Sequence, residues 1–169
     1  MYLILVFNFK MRAHIFTALV EHKPGVLMRV ASLFTRRRFN IESISVGATE
    51  NPDIARMTIL TKGDERVLEQ IEKQLNKLVN VIKVKDIDVS KSVCRELCML
   101  KINAPKERQK SQIIQYVDVF RGRVVDVSSE TIGVEITGDS EKIDAFIELV
   151  RGFGIKVVAR TGITAMERG

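Results

Sequence analysis

Two stretches of this 169-residue chain carry the same signals in the same order, and that internal repeat constrains the fold more than any composition figure. In the first, His14 to Val20 (HIFTALV) is a β-rich run that ends at the turn Glu21-His22-Lys23-Pro24-Gly25. Val26, Val30, Leu33 and Phe34 follow at i, i+4, i+7 and i+8, the stripe of an amphipathic helix. Pro24-Gly25 punctuates its start, and Asn40 comes shortly after the arginine run that ends it. Residues 41–49 and 55–61 (ARMTILT) read as two strands, and Glu50-Asn51-Pro52-Asp53 between them is hairpin-loop chemistry. Residues 64–78 predict a second helix with Val67, Ile71, Leu75 and Leu78 on one face, and Asn80 turns the chain into a last strand over 81–89.

The second copy opens with Arg95 to Ala104 (RELCMLKINA) as a strand, and Pro105 stands where it would open the next helix. Residues 106–120 predict that helix, with Ile113, Ile114 and Val117 facing inward. Gly122 precedes a strand over 124–127, and Ser128-Ser129-Glu130 turns into Ile132, Val134 and Ile136, whose alternation predicts one buried and one open face. Asp139 or Ser140 is placed to cap a helix carrying Ile143, Phe146, Ile147 and Val150. Gly152 and Gly154 break it, residues 155–159 close the unit, and the tail after Arg160 reads as polar and frayed.

The expectation is an α+β protein of two tandem ferredoxin-like βαββαβ domains, each with two helices on one face of a four-stranded antiparallel sheet. The domains span residues 11–90 and 91–169, joined near Ser90 to Val93, with residues 1–10 as an N-terminal extension. Units this small are marginal when a sheet face or edge is bare, so the fold itself predicts oligomerisation. Tyr2 to Phe9 (YLILVFNF) is apolar but far below the roughly 18 residues that span a bilayer. No basic residue precedes it and no small-x-small cleavage site follows, which argues against a signal peptide. It reads as the product of an upstream start or of vector residues, or as a short extra strand, with Met11 resembling a natural start.

Composition removes whole classes of function. The chain is 46% hydrophobic and 28% charged, as expected of a soluble globular protein, with no membrane segment. Two cysteines exclude a disulfide scaffold, and two histidines argue against a multi-ligand metal site. Cys94 and Cys98 lie four residues apart, about 13 Å along a strand, beyond any disulfide separation. No nucleophile elbow, phosphate-binding glycine loop or zinc-binding helix motif is present, so no catalytic and no metal-binding residues are assigned. The net charge of +6 is shared by both halves and identifies no partner. Arg36-Arg37-Arg38, with Arg29 two turns earlier, is the densest basic cluster. RNA-recognition modules share the split-βαβ layout, but residues 55–61 and 124–127 contain no Phe or Tyr, and such sheets need aromatic stacking platforms.

The turn Glu21 to Leu27 carries most information. A helix starting at Pro24-Gly25 leaves the amides of Gly25, Val26 and Leu27 without intrahelical partners. With the positive end of the helix dipole, they suit a small carboxylate, and Gly25 permits close approach to the backbone. Asn40, at the start of the next strand, offers both a donor and an acceptor to an amino acid's charged ends. Ordinary helix-start punctuation explains the same residues, and from spacing alone it is the favoured reading.

The segment EHKPGVLMRVASLFTRRRFNIESISVGATENPDIARMTILTKGDERVLEQIEKQLNKLVNV closely resembles the N-terminal ACT domain of the acetolactate synthase (acetohydroxyacid synthase) small regulatory subunit family. RELCMLKI, FRGRVVDVS and KIDAF resemble that family's C-terminal domain, so the likeness covers about residues 12–165. It implies a non-catalytic, cytoplasmic regulatory subunit of branched-chain amino-acid biosynthesis (valine, leucine and isoleucine). Its partner would be a catalytic large subunit carrying thiamine diphosphate, a divalent metal such as Mg and FAD, none of them bound by this chain. The resemblance further implies a homodimer through the ACT domains, with an amino-acid effector, usually valine, at the interface for allosteric feedback inhibition. The matching effector-binding positions are His22, Gly25, Val26, Leu27, Asn40 and Ile41. His22 stands where some members have Asn, and Arg38 where the family commonly has Gly. The alternative is a freestanding amino-acid-sensing or RNA-binding ferredoxin-like module without a synthase partner.

Overall fold

The computed structural model of the chain describes residues 12–168. These divide into two compact units, one running through Ser92 and one beginning at Val93. The extension over residues 1–10 lies outside the described residues.

The first unit is β1 (Arg12–Glu21), α1 (Val26–Arg37), β2 (Ser43–Ala48), β3 (Ile54–Gly63), α2 (Glu65–Leu75) and β4 (Val81–Ile87). Its sheet order is β2-β3-β1-β4, with the β1–β3, β1–β4 and β2–β3 pairs antiparallel. Alternation in β1 sends Phe16, Ala18 and Val20 into one core, where Ala55, Met57 and Ile59 of β3 meet them. The helices supply Val26, Val30, Leu33 and Phe34 from α1 and Leu68, Ile71 and Leu75 from α2. Each large side chain buried there contributes about 1.5–3 kcal/mol of hydrophobic stabilisation. The α2 stripe is rotated slightly from expectation: Leu68 replaces Val67 in the fully buried set, and Val67 and Leu78 are only partly buried. Asp64 caps this helix by accepting the Val67 amide at 2.8 Å.

The second unit is β5 (Ser92–Asn103), α3 (Glu107–Val119), β6 (Arg123–Val127), β7 (Thr131–Gly138), α4 (Ser140–Val150), β8 (Ile155–Arg160) and β9 (Thr164–Glu167). The order is β6-β7-β5-β8, and β9 also pairs with β5. Cys98, Leu100 and Ile102 of β5 and Ile132, Val134 and Ile136 of β7 pack against Ile113, Val117, Ile143, Phe146 and Val150 of the helices. Both units therefore have the tandem ferredoxin-like order that the repeat predicts.

Four further local expectations fail. The tail after Arg160 is not frayed. β8 pairs with β5 only from Cys98 to Ile102, so the first half of this 12-residue strand still has backbone to satisfy, and β9 pairs there. The crossover is pinned by Thr161, whose amide donates to Leu97 O and whose hydroxyl accepts the Leu97 amide, both at 3.1 Å, and Ile163 and Ala165 are buried. Ile114 is exposed rather than inward, because Ile113 and Val117, four apart, define the buried stripe and Ile114 lies 100° away. Pro105 stands just outside α3, whose first residue is Glu107 after the cap residue Lys106. The alternation of β7 leaves no fully open face: Thr131 and Gly133 are buried too, and a Cβ on Gly133 would lie 2.9 Å from Cβ of Asp126 on β6.

Candidate functional site

The β1–α1 turn is built from backbone constraints. The His22 amide donates to Asp53 O at 2.7 Å and the Glu21 amide to Asn80 O at 2.9 Å, which fixes where the strand stops. His22 is exposed, and its ring Nδ1 donates to Pro52 O at 3.0 Å, tying the turn to the β2–β3 hairpin tip. Gly25 has φ +84°, the left-handed region that glycine enters without strain, and a Cβ there would meet nothing within 4 Å. Among the described residues nothing fills the space beside Gly25.

Val26 turns its side chain into the core, so only its backbone faces the turn, and its amide is already engaged with Lys23 O at 3.4 Å. The sequence expectation treats three amides as equal. Of the three, the amides of Gly25 and Leu27 find no acceptor among the hydrogen bonds of the described residues. The first turn of α1 holds no acidic residue and no side-chain cap, so its positive dipole end is uncompensated. Leu27 is half exposed beside it.

A brace that no local spacing announces holds this turn. Asn80, in the α2–β4 turn, donates its side-chain amide to Glu21 and accepts from the Arg29 guanidinium. The Asn80 amide, with Lys23 second, holds the Glu21 carboxyl below its ordinary range. One neutral side chain thus joins the end of β1 to the second turn of α1.

Asn40 and Ile41 occupy the other end of α1. Arg38 takes φ 57° and ψ 33°, while Phe39 N returns to Phe34 O at 3.0 Å and Arg38 N to Thr35 O at 3.1 Å. These are the two bonds of a Schellman close, with Arg38 at the position that usually carries glycine, and Phe34 and Phe39 stacked edge to face at 6.3 Å. The departure at Arg38 leaves helix termination intact. Asn40 is exposed, donates Nδ2 to Glu42 Oε1 at 2.8 Å, and offers its carbonyl to the Thr61 hydroxyl at 2.7 Å. Ile41 is half-buried against the core.

The six residues therefore form two clusters. Glu21 pairs with Ile54 at one end of the sheet, whereas Thr61, which holds Asn40, pairs with His14 at the other. Seven strand steps separate His14 from Glu21, about 23 Å, so one protomer does not bring the turn and Asn40 together.

β2 is one edge of this sheet, and its sequence, SISVGA, contains no charge. The other edge, β4, carries Lys83, Lys85 and Asp86. Charged residues discourage edge-to-edge pairing, and β2 lacks them.

In the second unit the densest polar cluster surrounds Glu96, which is buried on β5. Its carboxylate accepts from Arg160 Nε at 2.9 Å and from the Ser140 hydroxyl, and Arg160 also reaches Asp144 at 2.7 Å. Burial raises the Cys94 and Cys98 thiols, and both are free. Among the described residues no group of three or more His, Cys, Asp or Glu side chains is placed to hold a metal ion. No helix of the described residues is long and apolar enough to cross a membrane.

Comparison with known proteins is consistent along the chain. Residues 16–83 match the model of the AHAS small subunit-like ACT domain, and residues 95–169 match the model of the small subunit of acetolactate synthase. A Methanothermobacter thermautotrophicus protein named "probable acetolactate synthase small subunit" is 67% identical over 156 residues, 92% of this chain and 93% of its own length. The acetolactate synthase small subunit of Mycolicibacterium smegmatis is 48% identical over 92% of this chain and 91% of its own. The crystal structure of the acetolactate synthase small subunit from Thermotoga maritima superposes with a TM-score of 0.86 at 46% identity, covering 94% of this chain and 98% of that one. With two domains that match in order and relatives that align over nearly their whole length, this chain belongs to the acetolactate synthase small-subunit family.

Proposed function

We propose that this chain is a feedback sensor: a homodimer that binds a branched-chain amino acid, valine foremost, between its ACT domains and adjusts the turnover of a catalytic acetolactate synthase subunit. The observation that carries this reading is the placement of the two clusters at opposite ends of one sheet. A two-fold antiparallel pairing of β2 with its copy would run the sheet through both protomers. The turn of one protomer would then face the partner's Asn40. The effector carboxylate would be held by the amides of Gly25 and Leu27 and the uncompensated end of α1. The amide of Asn40 would take the ammonium or the second carboxylate oxygen, and Leu27 and Ile41 would contact the branched side chain.

Such a ligand changes catalysis only if it binds two arrangements of the dimer unequally, and the coupling is reciprocal. The catalytic subunit must change effector affinity by the same factor. Calorimetry of the protein with valine, leucine and isoleucine, alone and with its catalytic subunit, tests the proposal directly. Saturable heat with at least one of the three, altered by the catalytic subunit, is the expected result. No heat under either condition overturns it.

A further inference from the structure

We infer that the outer groove between α1 and α2 is a docking surface for an acidic amphipathic segment of the catalytic subunit. This rests on the family membership and on the two-protomer reading above, and it adds the surface by which the regulated partner is held. Two adjoining cavities of about 630 Å³ and about 340 Å³ share Arg36 and Leu78 and form one groove along the helix pair. Its floor is Leu33 and Leu78, with Met28, 72% exposed, at the end nearer the effector turn.

Its rim is cationic. Arg29, Arg36, Arg37 and Lys77 line it, and among the described residues no carboxylate does. Arg36, Arg37 and Lys77 make no ion pair among the described residues. An exposed methionine beside uncompensated cations suits a ligand that brings apolar side chains and negative charge together. From Met28 to Arg37 the groove runs about 13 Å, the length of some nine helical residues.

A second copy of this chain is the wrong occupant. A two-fold contact would set the same cations against each other, and the uncharged β2 edge is elsewhere. The helical period places Leu27 and Ala31 on the flank of α1 opposite Arg29 and Arg36, so an effector held at Leu27 leaves the groove open. Both surfaces belong to one rigid helix, and a ligand that shifts the start of α1 moves the groove with it.

The test uses the full chain, its catalytic subunit, and the double variant Arg36→Glu/Arg37→Glu. Affinity for the catalytic subunit, measured across salt concentrations, should fall at least tenfold and lose much of its salt dependence, while heat of valine binding to the isolated chain is unchanged. The milder Arg36→Gln/Arg37→Gln pair, checked by thermal melting, serves if the reversal disturbs folding, with a drop of about threefold expected. Affinity within twofold of wild type for a folded variant overturns the inference. So does variant-sensitive binding to a short DNA duplex with unchanged affinity for the catalytic subunit. Loss of subunit binding by the variant in a chain that gives no heat with any branched-chain amino acid supports the docking surface and sinks the effector reading alone.

Discussion

The β1–α1 and β5–α3 turns occupy the same place in the two units, and their helix starts are finished differently. Both are pinned to the neighbouring hairpin: His22 N donates to Asp53 O at 2.7 Å, and Ala104 N to Glu130 O at 2.8 Å. Beyond that point they diverge. At the start of α3, the Gln109 side chain returns to the Lys106 amide at 3.2 Å, half of a capping box, and Glu107 places a negative charge in the first turn. α1 has a left-handed glycine, no side-chain cap and no acid. The two helix starts thus differ in charge and in side-chain closure: α3 carries a carboxylate and a returning glutamine, and α1 carries neither. The comparison teaches that a repeated fold can differ at a single turn, the one on which the proposed effector site rests.

The difference can be tested most severely in the second unit. Glu96→Ala removes the buried carboxylate that accepts from Arg160 and Ser140 and should cost about 2 kcal/mol of stability through the lost charge-assisted hydrogen bonds, Arg160 keeping Asp144. Effector affinity should stay at the wild-type value. A change in affinity by calorimetry would break the comparison.

Two glycine substitutions sharpen it. A Cβ at Gly122 would lie 2.2 Å from Cδ1 of Ile136 and 2.8 Å from the Glu135 carbonyl, so Gly122→Ala should lose about 2 kcal/mol in thermal melting and nothing in binding. Gly25→Ala meets open space and carries only the left-handed backbone cost, about 1 kcal/mol, but should weaken the effector roughly tenfold by crowding its carboxylate. The reverse ranking would mean that the turn is merely structural.

Arg38→Gly relieves a non-glycine residue at φ 57° and should stabilise the first unit by about 1 kcal/mol, raising its melting temperature by a few degrees. The smallest effect concerns Glu21. Its carboxyl sits below the ordinary value, so its contribution is present above the unfolded carboxylate range near pH 4 and disappears as pH falls through the lower folded value. Asn80→Ala should return the Glu21 titration toward the ordinary value, as followed by NMR. An unchanged titration would remove Asn80 from the brace.

Much of this architecture is legible in the sequence, because each βαββαβ unit is written in local periodicities of 3.6 and 2. The failures lie where distant residues meet. β9 exists because β5 outruns β8, a mismatch of lengths visible only once the strands pair. Glu96 and Arg160 are 64 positions apart, and Glu21 and Asn80 59 apart, so no spacing announces either pair. The turn at Gly25 is legible because proline and glycine act locally. Spacing treats it and Asn40 as one pocket, yet the 12-residue helix between them alone is about 18 Å long. Asn40 therefore had to lie far from the turn, and helix length was the signal that could have shown it.

That separation gives the proposed sensor a property that genetics can read. If each binding site takes its turn from one chain and its asparagine from another, damage to the two halves is not equivalent when subunits mix. Chains carrying Gly25→Ala and chains carrying Asn40→Ala would each respond to the effector only at raised concentration as pure populations. Co-expressed, a mixed pair would hold one site with both defects and one site with neither. Restored response in the mixture, at up to half the wild-type number of sites, would be the signature of a sensor whose smallest working part is two polypeptides.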